Sequence, residues 1–243
     1  MRFVVSPELT LPEQLALDEA LLEMREAGGA SGLDADCLRI WESASYGVVV
    51  GLANIVEAEV DARACQEAGI PILRRVSGGG TVLQGPGCLN YSLILGIEPG
   101  GSLDTVTGAN TTIMNRIRNA LQPLTAEPIS VAGHTDLASG GRKFSGNAQK
   151  RKRRALLFHG TLLLDFDLPR IGRCLRAPSK QPDYRGGREH RDFVRNLPAA
   201  RSAVTQALRD EWRAEIQEGR LPREEVARLV KEKYARDDWN LRR

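Results

Sequence analysis

Residues 74–95, RRVSGGGTVLQGPGCLNYSLIL, set two arginines and three consecutive glycines between apolar runs that read as strands. Glycine lacks Cβ and tolerates positive φ, so Gly78, Gly79 and Gly80 allow backbone to approach a ligand closely. Successive N–H groups in such a turn form a concavity suited to anions, and Arg74 or Arg75 can place a two-donor cation beside it. On its own, the segment favours a glycine-rich hairpin with solvated arginines, because short glycine motifs recur by chance.

A second stretch, residues 141–168, GRKFSGNAQKRKRRALLFHGTLLLDFDL, shifts that balance. Lys143 stands among small polar residues, Ser145, Gly146 and Asn147. A basic run, Lys150–Arg154, follows, and then an apolar strand carrying His159-Gly160-Thr161. Three motifs in order, RRVSGGGTV, GRKFSGNAQ and FHGTLLLDFDL, resemble the lipoate–protein ligase A family, within the wider group of biotin and lipoyl protein ligases and octanoyltransferases. Weaker similarity in LALDEALLE and LRIWESASYGVVVGLAN extends the resemblance over most of residues 11–175.

The resemblance implies the α+β fold shared by biotin ligases and class II tRNA synthetases, a mixed or antiparallel central sheet with flanking helices. It implies activation of lipoate or octanoate by ATP with Mg²⁺, giving an acyl-adenylate, and transfer to a lysine of a lipoyl-domain acceptor. Acceptors of that kind are the E2 subunits of 2-oxoacid dehydrogenases and the glycine cleavage H protein. Bringing two anions together requires cations that offset their repulsion. Carried onto matching positions, Arg75, Gly80, Thr81, Val82, Leu83 and Lys143 contact the nucleotide, and Gly78 and Gly79 can add N–H groups. Arg75, Ser77, Lys143 and His159 are the candidate lipoate contacts, with Lys143 the catalytic cation. His159 fits a core histidine as well as a site residue. Asp136 is the candidate for Mg²⁺ or the nucleotide, although a surface aspartate is the commoner explanation. Gln84 stands where the family often has a histidine, so no proton-transfer role is expected there.

Relatives of the same fold pass acyl groups through a cysteine thioester without ATP. One branch carries its cysteine shortly before the lysine, where this chain reads ISVAGHTDLASG; another carries it in a Pro-Cys-Gly turn, where this chain has Ala177-Pro178-Ser179. A thiolate is the better nucleophile at neutral pH. The expectation is therefore a ligase, with the ATP-independent transferase as the alternative. Biotin ligase is a nearer rival, but its arginine-rich glycine loop differs from SGGG.

The 243 residues are 42% hydrophobic, enough for one large domain or two small ones. A formal net charge of +3 gives no argument for general nucleic-acid binding, and no aromatics interleave with Lys150–Arg154 to stack on bases. That run reads as a solvated hairpin tip. No apolar run approaches the ~20 residues of a membrane span, and MRFVVSPELT lacks a secretory core, so a cytoplasmic location is expected. Four scattered cysteines and three histidines show no metal-ligand spacing.

Thr10-x-x-Glu13 before a leucine-rich stretch predicts a helix over 11–26, and GGASG (28–32) predicts a loop. Strands are expected at 37–42, 46–52, 72–76, 80–84, 89–95, 135–139, 142–149 and 155–166. Helices are expected at 57–68 and 104–121. Residues 177–198 read as a long loop. Val204, Leu208, Trp212 and Ile216, then Val226, Val230 and Tyr234, predict two helices split by Pro222. This divides the chain into a catalytic domain over 1–198 and a helical tail, 199–243, packed on it. A separate small subunit completing the enzyme is also expected, since many lipoate ligases carry an extra C-terminal domain.

Overall fold

The computed structural model describes residues 1–6, 9–28, 35–178, 180–216 and 221–242. A mixed sheet runs through its centre. In chain order its strands are β1 (Arg2–Val4) and β2 (Cys37–Glu42), then, after the small sheet described below, β6 (Cys88–Gly96), β7 (Ile129–Ala132), β8 (Asp136–Ser139), β9 (Arg142–Arg151), β10 (Ala155–Leu163) and β11 (Glu215–Ile216). Their spatial order is β11-β1-β2-β6-β10-β9-β8-β7; the pairs from β2 through β7 are antiparallel, while β1 lies parallel to β2 and β11. A second sheet, order β4-β3-β5, holds β3 (Gly47–Val50), β4 (Ile72–Arg74) and β5 (Val82–Gln84). The mixed α+β fold agrees with the sequence expectation.

Alternation along the strands feeds two cores. Leu89, Tyr91, Leu93, Leu156 and Phe158 pack on one face against α4 (Val106–Leu121) and α7 (Arg201–Glu211) through Ile113, Ile117, Val204 and Leu208. Trp41, Ile94 and Leu157 pack on the other face against α1 (Leu11–Ala27) and α8 (Arg223–Leu229). Helix α1 starts where its capping box predicts, with Thr10 N–H donating to Glu13 Oε2 at 2.7 Å. The loop expected at 28–32 lies almost entirely outside the described residues.

Three expectations differ from what forms. The helix predicted over 57–68 divides into α2 (Val56–Glu59) and α3 (Ala62–Glu67), because Val60 is extended and bridges to Leu175. Asp61 then caps α3, accepting from Ala64 N–H at 2.9 Å. The helix predicted to reach Ile216 stops at Glu211, and Ile216 pairs with Phe3 on the exposed edge strand. Strand β7 is not among the expected strands; its short Ile-Ser-Val alternation buries Ile129 and leaves Ser130 exposed at the border of the sheet.

Helices α5 (Leu168–Cys174) and α6 (His190–Phe193) cover the small sheet with Phe166 and Val194. Beyond α8 a π turn (Val230–Tyr234) leads into α9 (Asp237–Asn240). Arg74, 1% exposed, is the anchor of that last segment. Its Nε donates to Trp239 O and its Nη2 to Arg242 O, while Nη1 donates to Gly51 O and Asn54 O. The indole of Trp239 returns a bond to Arg74 O at 2.9 Å. Arg74 is therefore a structural tie, and only Arg75 of the pair faces the glycine loop.

Candidate functional site

Strand register builds the site. Trp41 on β2 stands opposite Asn90 on β6, Asn90 opposite Thr161 on β10, Thr161 opposite Gly146 on β9, and Gly146 opposite Asp136 on β8. Directly opposed residues share a face, so this row crosses five strands on one side of the sheet. Beside it runs a second row, Arg39–Ser92–His159–Ala148. Apart from Arg39, which lies beneath α1, these rows floor a cleft of about 450 Å³ walled by β5, Pro178 and residues from the 180–194 stretch.

Lys143 reaches this face through an irregularity. Regular alternation would send residues 143 and 146, three apart, to opposite faces. Between Leu137 and Ala138 the β8–β9 register shifts, so Lys143 pairs with Ala138 while Gly146 pairs with Asp136. Ala138 and Asp136 are two apart and share a face. The extra residue of the bulge, Phe144, turns into the opposite core, and Lys143 is re-aimed into the cleft. Its Nζ lies 2.8 Å from Asp136 Oδ1. A Cβ at Gly146 would stand 2.8 Å from that Nζ, so the bare glycine makes room for the folded-back ammonium.

The glycine loop is organised from within. Arg75 is buried, and its Nε donates to Ser77 Oγ at 3.0 Å, its Nη1 to Val49 O, and its Nη2 to Gly78 O at 2.6 Å and Gly80 O at 2.7 Å. The expected two-donor grip is thus directed in this structure at the loop's own carbonyls. Burial pulls the guanidinium down to about 10, against the opposing charge of Glu59. Gly79 has φ +84°, the left-handed region that favours glycine. Glu59 fixes the loop's exit, accepting from Thr81 N at 3.2 Å and Thr81 Oγ1 at 2.5 Å.

Of the residues predicted from sequence, Arg75, Gly79, Gly80, Thr81, Val82 and Leu83 line the cleft from one side. Asp136, Lys143 and His159 line it from the sheet. Ser77 is fully buried behind this surface, where its Oγ bonds His159 Nε2 at 2.5 Å. Gly78 acts through its carbonyl on Arg75. Asp136 is engaged twice, by Lys143 and by the Tyr184 hydroxyl, which donates to Oδ2 at 2.7 Å. Gln84 lines the cleft too, with Oε1 buried and unpartnered. The basic run Lys150–Arg154 lies away from it: Lys152 pairs with Glu23 and Arg154 N–H donates to Glu26, both on α1.

Sequence reading missed Asp18, Arg39, Glu59, Tyr184 and His190. Asp18 carried a signal, being an acidic residue three positions from Leu15 and three from Leu21 on the buried stripe of α1. Tyr184, Arg185 and His190 belong to the stretch read only as a loop, and here they wall the cleft or brace it. Burial, together with the charges of Arg185 and Lys143, pulls the His190 imidazole down to about 4.

A pH effect follows from that depression. A neutral His190 is favoured in the folded wall, so its contribution to stability is present above its ordinary pKa of 6.5 and is lost as pH falls towards about 4. Hydrogen exchange of residues 183–194, corrected for intrinsic rates, should accelerate between pH 6.5 and 4. His190→Gln should flatten that dependence. Equal pH profiles for the two proteins would remove His190 as the cause.

None of the four cysteines lines the cleft. All four thiols are buried and free. Burial pushes Cys37 up to about 11 and Cys65 and Cys88 up to about 12, and it raises Cys174 as well. Among the described residues no helix is long and apolar enough to cross a membrane.

Comparison with known proteins bears on this geometry. A lipoate-protein ligase A subunit 1 from Thermoplasma acidophilum is 26% identical, over 93% of this chain and 90% of its own length. An octanoyltransferase LipM from Symbiobacterium thermophilum is 28% identical over 96% and 94%. Among solved structures, a lipoate-protein ligase A bound with ATP superposes with a TM-score of 0.80 at 24% identity, covering 99% of this chain and 98% of that one. A bi-partite lipoate protein ligase from T. acidophilum, studied with its E2 lipoyl domain, gives 0.79 at 22% identity, covering 99% and 95%. The sequence pattern of the lipoyl protein ligase A/B catalytic domain matches residues 11–216, and the chain belongs to that family.

Proposed function

We propose that the chain is a lipoate–protein ligase that uses ATP to convert lipoate or octanoate to acyl-AMP and then transfers the acyl group to a lysine of a lipoyl domain. The observation that carries this reading is a cleft with an ammonium at its floor and no thiol on its walls. The thioester route of octanoyltransferases requires a reachable thiolate, and the four thiols here are buried and protonated at neutral pH. An adenylation route requires instead positive charge and N–H donors where two anions meet. Lys143, with the N–H groups of Gly79 and Gly80, offers that combination.

In this reading the acyl carboxylate attacks the α-phosphorus of ATP and pyrophosphate leaves. The acceptor lysine then attacks the acyl carbonyl, forming an amide and releasing AMP. Lys143 balances charge on the phosphate and carbonyl oxygens in both steps, after exchanging Asp136 for the ligand. Arg75 acts from beneath, holding Gly78 and Gly80 so that the loop keeps its shape. The acyl chain lies along the apolar part of the cleft, near Leu15, Trp41 and Val82. A Mg²⁺ ion would find two carboxylates on the cleft lining, Asp136 and Glu59, the latter already accepting from Thr81. Among the described residues no group of three His, Cys, Asp or Glu side chains converges. The donor set fits a metal carried mainly by the nucleotide's own phosphates.

Two relatives have names or descriptions that indicate a divided enzyme, and we extend that division to this chain. Incubated with lipoate, Mg-ATP and an apo-lipoyl domain, the purified chain should form acyl-AMP weakly, and a second small polypeptide should raise the rate. Product formed from acyl-carrier protein without ATP, and lost in Cys174→Ser, would move the assignment to the transferase class. Full activity from the chain alone would remove the need for a second subunit.

A further inference from the structure

Behind the cleft a continuous line of polar side chains leads to Arg75, and its other members have no part in the proposed chemistry. It begins at Arg39, fully buried beneath α1, whose Nη1 donates to Asp18 Oδ1. Asp18 Oδ2 accepts from Ser92 Oγ at 2.8 Å and faces His159 Nδ1 at 3.3 Å. His159 Nε2 meets Ser77 Oγ at 2.5 Å, and that same Oγ accepts from Arg75 Nε at 3.0 Å. Arg75 in turn holds the carbonyls of Gly78 and Gly80. The line thus joins a helix on one side of the protein to the glycine loop on the other.

Its proton order is determined by elimination. Burial acts to raise the Asp18 pKa, but the Arg39 charge and the bonds from His159 and Ser92 outweigh it and hold the carboxyl below its usual range. An ionised carboxylate only accepts, so Nδ1 is the donor towards Asp18. In the neutral imidazole Nε2 is then the acceptor, and the Ser77 hydroxyl donates to it. That leaves the Ser77 lone pairs free for Arg75. With a neutral ring, the opposite tautomer would set the Nδ1 lone pair against the Asp18 carboxylate, two acceptors facing each other.

We propose that Asp18 is a positioning residue for acyl transfer: by fixing the Nδ1–H tautomer of His159 it orients Ser77, and through Ser77 it sets Arg75 and the glycine loop. His159 also lines the cleft, so the same bond fixes the ring face presented to the substrate. Ser77 is fully buried and does not line the cleft, so the Asp-His-Ser order acts as a brace and makes no acyl-serine. The activity part of this inference rests on the proposed function; the tautomer part does not.

The test is Asp18→Asn. Arg39 keeps the amide oxygen towards itself, which turns the NH₂ towards His159. Nδ1 must then present its lone pair, and the ring adopts the Nε2–H form. Ser77 Oγ then accepts from both His159 and Arg75, and its own hydroxyl proton loses its acceptor on the ring. Long-range ¹⁵N–¹H correlation spectra of histidine-labelled protein should show Nδ1–H for His159 in the parent chain and Nε2–H in the variant. The kcat/KM for acyl-AMP formation should fall on the order of tenfold to a hundredfold, the range seen when the partner orienting a metal-bound histidine is removed, with Ser77→Ala causing a similar loss. The two substitutions together should cost little more than either alone. An Nε2–H ring in the parent chain overturns the inference with no variant needed, so an unstable Asp18→Asn does not rescue it. A switched tautomer with unchanged kcat/KM overturns it as well. A parent chain with the Nδ1–H ring but no ATP-dependent lipoylation would sink the proposed function and leave the tautomer assignment standing.

Discussion

Lys143→Ala should lower the rate of acyl-AMP formation by ~10²–10³, the usual cost of removing one preorganised charge from a site where an oxyanion develops. Binding of ATP should weaken less than turnover, since the ammonium matters most when charge is shared between carboxylate and phosphate. Thermal stability should hardly change: Lys143 is partly exposed, and pairs of that kind contribute little to folding. Gly146→Ala gives an independent approach to the same point. Its methyl would lie 2.8 Å from Nζ and 2.9 Å from Cε, so the lysine must move although its charge remains. Those atoms are the far end of a flexible side chain, so we expect a smaller fall in single-turnover adenylation than for Lys143→Ala, with the fold intact by circular dichroism. Lys143→Ala turning over at the parental rate would remove the centre of the proposed mechanism.

The second large effect concerns stability. Arg39→Leu should destabilise the protein by roughly 3–5 kcal/mol, because it leaves the Asp18 carboxylate buried without its cation. At this chain length that corresponds to a fall in Tm of about 10 °C. Arg39 is fully buried and Asp18 2% exposed, so solvent cannot substitute for the lost partner. The paired change Asp18→Leu with Arg39→Met should recover most of the loss, since apolar replacement of both members removes the desolvation cost together with the attraction. Activity should nonetheless be low in the paired variant, because replacing Asp18 removes the acceptor of His159 Nδ1 that the single Arg39→Leu change leaves in place. Calorimetry of the three proteins decides the matter; a double variant as unstable as the single one would contradict this account of the pair.

Much of the architecture was legible because local signals and packing agree. The capping box at Thr10 and Glu13 placed α1 correctly, and the spacing of Ile113, Ile117 and Leu121 placed α4, whose buried face follows the 3.6-residue period. The glycine loop and the lysine strand were found as motifs, and the structure brings them to one cleft. What sequence could not disclose is how side chains are aimed. Arg74 and Arg75 are adjacent, so alternation sends them to opposite sides, but only the packed structure tells which one faces the loop. Lys143 is a stronger case. A regular strand would set it opposite Gly146, and only the register shift at Leu137 and Ala138 brings the two to the same face. Ile216 shows the reverse error, a helical period continued past Glu211 into residues that edge-strand pairing claims.

Arg74 carries one more consequence. The carbonyls it gathers at Gly51 and Leu52 belong to the segment that backs the loop, where Leu52 N–H donates to Ser77 O at 2.8 Å and Gly51 abuts Gly79. Trp239 and Arg242 occupy the remaining donors of the same guanidinium. Replacing Trp239 by alanine would therefore loosen both the packing of this segment and the backing of the glycine loop, so stability and loop geometry should fall together.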